Sequence, residues 1–264
     1  MARPPRVLVF DSGLGGLTVF HEIARLRPDA NYTYVADDTF FPYGDHDEAA
    51  LTARVVPLIG DLIARHQPDL VVIACNTAST LVLSHLRAAF KVPFVGTVPA
   101  IKPACAASTT KRVSVLGTQA TVTREYTRKL IHDFGQGCDI KLVGSARLAG
   151  LAEAALRGHA VDDRAIAAEI APCFVDADGR RTDTVVLACT HFPLLLDRLE
   201  RLALWPVAWI DPAPAIARRV IELIGPPSAP AAKLMARALF TSGRPVEPAL
   251  ADALARRGFS LTEG

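Results

Sequence analysis

Long apolar runs are missing from this chain of 264 residues: no uninterrupted stretch reaches the roughly 18 residues that a membrane span needs. Met1 to Arg6 leads straight into Val7-Leu8-Val9-Phe10, a run too short for a signal core, and Asp11 ends it. A cytoplasmic protein is the expectation. Excess charge of one sign is missing too. The formal net charge is +2 and no basic stripe stands out, so nothing points to nucleic acid. Paired cysteine spacings are absent as well. The five cysteines, Cys75, Cys105, Cys138, Cys173 and Cys189, are odd in number and widely spaced, with no C-x-x-C. That argues against a disulfide framework and a zinc knuckle. Cys105, Cys138 and Cys173 read as small buried hydrophobes.

Two further absences narrow the chemistry. The segment Asp11-Ser-Gly-Leu-Gly-Gly16 is not a dinucleotide fingerprint, because Thr18 stands where the third glycine belongs. Nor is it a P-loop, since no Gly-Lys-Ser/Thr follows. No Cys-x5-Arg phosphatase loop occurs either.

What is present is the composition of a compact α/β protein, with 50% hydrophobic and 21% charged residues. Short β-branched runs at 7–10, 32–36, 70–74, 94–96, 112–116, 140–143, 184–188 and 208–210 read as strands. Helical periodicity fills 17–26, 49–66, 77–89, 121–134, 162–174 and 212–223. Strand and helix in alternation imply βαβ units and mostly parallel sheets, and purely apolar strand cores imply helices on both faces. Turn residues at 96–99 and at Asp211-Pro212 mark two crossings between domains. The expected division is 1–98 plus 211–264 for one domain and 99–210 for the other. The tail, with a proline-rich stretch at 226–230, a strand at 239–241 and a helix at 249–257, is expected to fold back on the first half.

A weak internal repeat carries the chemistry. Leu70-Val-Val-Ile-Ala-Cys75-Asn-Thr resembles Thr184-Val-Val-Leu-Ala-Cys189-Thr-His. Each is an apolar strand that ends in Ala-Cys and is followed by helix-opening residues, Asn76-Thr77 and Thr190-His191. Ligands of open α/β sheets bind beyond the strands' carboxyl ends. A thiol at a helix N-terminus has its thiolate favoured by the dipole and by free N–H groups. Asp37-Asp38 reads as a metal or amine site or as a solvated pair, and His191 as a proton shuttle or a cap. A thiol protease would leave the duplication unexplained. Two thiols facing one substrate suit proton removal on one face of a carbon and delivery to the other, which is racemisation.

The chain resembles bacterial glutamate racemases over nearly its whole length. The resemblance rests on Phe10-Asp-Ser-Gly-Leu-Gly-Gly-Leu-Thr-Val19, Tyr34-Val-Ala-Asp-Asp38 with Pro42-Tyr-Gly44, and Val71-Val-Ile-Ala-Cys-Asn-Thr-Ala78. Val115-Leu-Gly-Thr118 with Ala120-Thr-Val122, and Leu187-Ala-Cys-Thr-His-Phe-Pro-Leu194, complete it. It implies two pseudo-symmetric α/β domains, each a mostly parallel sheet flanked by helices, with the active site in the cleft between them. It implies no cofactor, neither pyridoxal phosphate nor metal. Cys75 would take the α-proton of D-glutamate and Cys189 that of L-glutamate, assisted by Asp11 and His191. A family glutamate aligns with Glu153, in surroundings that depart from the family's usual segment. Substrate contacts would fall on Asp11, Ser12, Pro42, Tyr43, Gly44, Asn76, Thr77, Thr118, Thr121, Thr190 and His191. A homodimer and a role in peptidoglycan synthesis are implied. Some family members are activated by a cell-wall precursor and carry an N-terminal extension; here Asp11 comes almost at once, which speaks against that regulation. Two rival readings stand beside this one. One is a racemase or epimerase of the same plan acting on aspartate or a hydantoin. The other is a binding protein, for example a topoisomerase inhibitor, in which the cysteine pair would serve no purpose.

Overall fold

The computed structural model describes residues 3–135, 137–227 and 234–261. The proline-rich stretch at 226–230 therefore lies outside the described residues from 228 onward.

The strands, in chain order, are β1 (Arg6–Asp11), β2 (Asn31–Ala36), β3 (Leu70–Ile73), β4 (Phe94–Gly96), β5 (Arg112–Thr118) and β6 (Asp139–Ser145). Then come β7 (Asp176–Ala177), β8 (Arg180–Arg181), β9 (Thr184–Ala188), β10 (Ala208–Ile210), β11 (Met235–Phe240) and β12 (Phe259–Leu261). They build a six-stranded sheet ordered β12-β11-β2-β1-β3-β4 and a four-stranded sheet ordered β10-β9-β5-β6. Every pairing in both sheets is parallel, as the βαβ alternation requires. A small antiparallel hairpin, β7 with β8, projects from the second sheet's side.

The central strands β1, β3 and β9 are buried on both faces, which is why their sequences are unbroken apolar runs. Val7, Val9, Leu70 and Val72 pack to one side of the first sheet, and Leu8, Phe10, Val71 and Ile73 to the other. β6, at an edge, alternates instead and shows every second residue to solvent. Helix Glu48–His66 illustrates the covering layer. Asp47 caps it by accepting from the Ala50 N–H at 2.8 Å, and Leu51, Val55, Ile59 and Leu62 recur at helical spacing to form its buried stripe. Each such side chain taken out of water contributes about 1.5–3 kcal/mol.

The chain leaves the first sheet after β4 and returns after β10 through helix Ala213–Ile224, whose Ala213, Ile216, Ala217 and Val220 join the first core. The tail folds back as expected: β11 pairs with β2 and β12 with β11. Its strand starts four residues earlier than the expected 239–241, because Met235–Leu239 also find partners on β2. The expected helices at 77–89 and 121–134 are each broken in two. Val82 ends Asn76–Leu81 and opens Leu83–Ala89, and Arg124 turns to extended backbone between Gln119–Thr123 and Glu125–Phe134. The helix expected at 162–174 is Asp163–Ile170 followed by a 3-10 turn at Ala171–Cys173, where Pro172 cannot donate to an α-helical bond. Helices Ile101–Ala107 and Leu148–Leu156 are present where the sequence reading had none. Among the described residues, no helix is long and apolar enough to cross a membrane.

Candidate active site

The carboxyl ends of β1, β3, β5 and β9 face one another across the gap between the sheets. Cys75 follows β3 and is the N-cap of helix Asn76–Leu81, and Cys189 follows β9. Both are free and buried, and both line one small cavity of about 20 Å³. The rest of the lining comes from both sides. Ser12, Pro42, Tyr43, Gly44, Asn76 and Thr77 belong to the first sheet's loops. Thr118, Thr121, Thr190 and His191 belong to the second's. Ten expected contact residues thus converge with the two thiols. Phe41 and Ala149 also line it, and the sequence reading missed both; neither carries a polar group that would have marked it.

Asp11 is placed differently. It is fully buried behind the cavity, with Oδ2 accepting from the Gly16 N–H at 2.8 Å and Oδ1 without a partner. Burial raises its pKa above the ordinary carboxylate value, against the pull of His191. Cys75 lies within electrostatic reach of Asp11, and its Sγ stands 3.8 Å from Ser12 Oγ. Burial first, and then Asp11, push the Cys75 thiol well up. The expectation that a helix end would favour the thiolate is overturned here. The Ala78 N–H does favour it, but desolvation and a neighbouring carboxylate win.

On the other side His191 is buried; it stands at the N-cap position of the 3-10 turn Phe192–Leu195, but its side chain makes no capping hydrogen bond. Its Nδ1 is 3.9 Å from Cys189 Sγ, and its Nε2 is 3.0 Å from Glu153 Oε1. Burial works to lower its pKa, yet Cys189 and Glu153 together raise it well above the usual histidine value. Glu153 is held below the usual carboxylate value: burial opposes this, and His191, the Leu14 N–H and Arg157 outweigh it. The Gly15 N–H also points at Nε2, at 3.2 Å, so the ring is held between the loop after β1 and Glu153. Leu14 N–H donates to the same Oε1 at 2.6 Å, tying the loop after β1 to helix Leu148–Leu156. Glycine is needed beside this contact. A Cβ on Gly13 would sit 2.0 Å from Glu153 Oε1, and one on Gly15 would sit 2.4 Å from the His191 ring.

Asp37-Asp38 is neither a metal site nor a solvated pair. Asp37 Oδ2 accepts from Tyr43 Oη at 2.7 Å, both oxygens accept from Arg54, and Thr241 Oγ1 donates to Oδ1 at 2.7 Å. Burial raises its pKa, but Arg54, Thr241 and Tyr43 bring it below the ordinary value. Asp38 binds the Ser242 N–H and hydroxyl. Together they clamp the loop that presents Pro42, Tyr43 and Gly44. No sequence signal joined residues 37 and 241, which are 204 positions apart.

Asn76 aims a buried amide at this region with neither Nδ2 nor Oδ1 partnered. Unpaired buried polar atoms are rare in native proteins, and their concentration here marks a ligand site. Among the described residues no cluster of three or more His, Cys, Asp or Glu could hold a metal ion.

The chain matches the Asp/Glu/Hydantoin racemase family over residues 17–220. It is 56% identical over 219 residues to the glutamate racemase of Brucella canis, covering 83% of this chain and 79% of that one. It is 52% identical over 261 residues to that of Sinorhizobium fredii, covering 97% and 96%. Its fold superposes with a TM-score of 0.87 and 41% identity on Escherichia coli glutamate racemase, solved with L-glutamate and the activator UDP-MurNAc-ala, covering 98% and 97%. The chain therefore belongs to the Asp/Glu/Hydantoin racemase family, among its bacterial glutamate racemases.

Proposed function

We propose that the protein interconverts L- and D-glutamate without a cofactor, by two-base proton transfer between Cys75 and Cys189. The observation that carries this is the meeting of two buried free thiols, one from each sheet, in a single cavity. One thiolate takes the α-proton and leaves a carbanion-like centre. The opposite thiol gives its proton to the other face, so the anionic sulfur changes sides. Cys75 acts on D-glutamate and Cys189 on L-glutamate.

The α-proton of an amino acid is very weakly acidic, so the site itself must stabilise the carbanion. Asn76, Thr77, Thr118, Thr121 and Thr190 supply neutral donors around the substrate, and Tyr43 and Gly44 fix its other end. No lysine lines the cavity, so no lining residue is suited to form an imine. Asp11 takes and returns the proton of Cys75, and His191, oriented by Glu153, takes the proton of Cys189 on Nδ1 to become an imidazolium and gives it back. At about 20 Å³ the cavity holds little more than a water. The two domains, 1–98 with 211–264 and 99–210, therefore part to admit substrate and close to exclude solvent. The product, D-glutamate, supplies peptidoglycan synthesis. The assembly is a homodimer in the cytoplasm, where free thiols persist.

The test is circular dichroism of D- and L-glutamate with purified protein and no added cofactor. Decay to zero from both sides is expected, with none in Cys75→Ala or Cys189→Ala and at most a trace in the serine variants. Full activity in either alanine variant refutes the mechanism. Decay with aspartate and not glutamate moves the substrate to the rival reading.

A further inference from the structure

The amino-terminal edge of the first sheet, at the far end of the strands from the thiols, holds a second and much larger cavity of about 590 Å³. It lies where β1, β2 and β11 begin, against the last turn of helix Glu48–His66. Arg6, Arg65, His66 and Arg237 line it, and no lining residue is acidic. These four come from three separate elements. Arg6 opens β1, Arg65 and His66 end the helix, and Arg237 stands on β11.

Arg65 and Arg237 meet no carboxylate among the lining residues, and Arg6 feels only Asp69, which Arg3 already holds. Arg6 Nε is buried without a hydrogen-bond partner. Among the described residues, Arg65 and Arg237 have no ion pair or hydrogen bond from their guanidinium groups. The nearby carboxylate, Asp69, is already engaged: it pairs with both terminal nitrogens of Arg3 and accepts the Arg6 backbone N–H. Burial, then Arg237 and Arg65, hold His66 below the usual histidine range, which shows how closely the positive groups crowd.

Like charges gathered around a concavity focus a field that attracts a counter-charge. Guanidinium groups present forks of N–H donors matched to phosphoryl oxygens. The volume falls in the range of small-molecule sites and exceeds what a lone phosphate fills. Met235, 61% exposed, gives the opening an apolar lip for an organic portion. We propose that this cavity binds a small organic diphosphate, with Arg65 and Arg237 gripping the phosphoryl groups and Arg6 beneath them. The site is separate from the racemase chemistry and does not depend on its assignment.

Isothermal titration calorimetry of the full chain with inorganic pyrophosphate and with ADP tests it. Both are expected to bind one per chain, ADP more tightly because its organic portion adds contacts. Arg65→Ala and Arg237→Ala should each weaken binding about tenfold or more, and Arg237→Lys by less, since lysine keeps the charge without the fork. Circular dichroism and melting temperature establish that the variants fold, and their racemase turnover should match the parent's, since neither arginine lines the thiol cavity. ADP binding no tighter than pyrophosphate would overturn the organic assignment. Absence of binding by both probes, or binding unchanged in the folded alanine variants, would overturn the site.

Discussion

Glu153→Gln is the perturbation that separates orientation of His191 from mere packing. The side chain keeps its size, and its carbonyl can still accept the Leu14 N–H, now 2.6 Å from Oε1. What is lost is the charge facing His191 Nε2 at 3.0 Å. The amide oxygen that replaces Oε1 still accepts from Nε2 but carries no charge, so the protonated ring loses its counter-charge. A hydrogen bond to a charged group is worth about 1.5–3 kcal/mol. At about 1.4 kcal/mol per decade, kcat/KM should fall roughly 10- to 150-fold. The loss must be equal from both enantiomers, because the equilibrium constant between them is one. A pH profile gives the second readout. Glu153 and Cys189 raise the His191 pKa, so the protonated form now persists to higher pH. Removing the carboxylate lowers that pKa, and the alkaline limb of kcat/KM should move to lower pH. Polarimetric progress curves from both enantiomers, across pH, provide both numbers. Values within about twofold of the parent, with an unmoved alkaline limb, would refute the role given to Glu153.

Other consequences are equally checkable. Gly13→Ala places a methyl 2.0 Å from Glu153 Oε1, and should lower kcat/KM by about tenfold or more while the melting temperature changes little, since the displaced group is one side chain. Arg54→Ala removes two hydrogen bonds from Asp37, loosening the clamp on Tyr43; KM for glutamate should rise several-fold and more than kcat falls, as steady-state kinetics will show. Asp183 accepts from Ser108, Thr109 and Thr110, and these bonds, against the opposing effect of burial, depress its pKa strongly. Its stabilisation is therefore present above the usual carboxylate pKa and is lost as pH falls through the depressed value, so an Asp183→Asn variant should show a shallower acid decline in melting temperature than the parent.

Much of this was written in local sequence. The apolar runs that end in Ala-Cys, twice, placed both thiols beyond strand ends. Asn76, Thr77 and Thr190 follow because they sit within two residues of the cysteines, whereas Thr118 and Thr121, after β5, were expected only through the family resemblance. Periodicity found the long helices but not their breaks. Val82 and Arg124 fit a helical pattern, and only tertiary packing turns the backbone there. Leu148–Leu156 was passed over because its apolar residues cover most of its circumference, leaving little amphipathic contrast for the period to show. The Asp37 clamp was illegible for another reason. Its partners Tyr43, Arg54 and Thr241 lie on three elements, and a carboxylate's neighbours across such distances are set by the tail's pairing of β11 with β2. The high pKa of Cys75 was also hidden, because a helix N-terminus is visible in sequence and full desolvation is not.

The central claim is that two different thiols serve the two faces of the α-carbon. Racemisation of L-glutamate in D2O, stopped in the first few per cent and read by mass spectrometry after chiral separation, tests it most directly. The account predicts D-glutamate carrying solvent deuterium at Cα in nearly every molecule, while the remaining L-glutamate keeps its protium. D-glutamate that retains the substrate's own α-hydrogen would mean that one group carries the proton across, and would contradict the two-thiol mechanism.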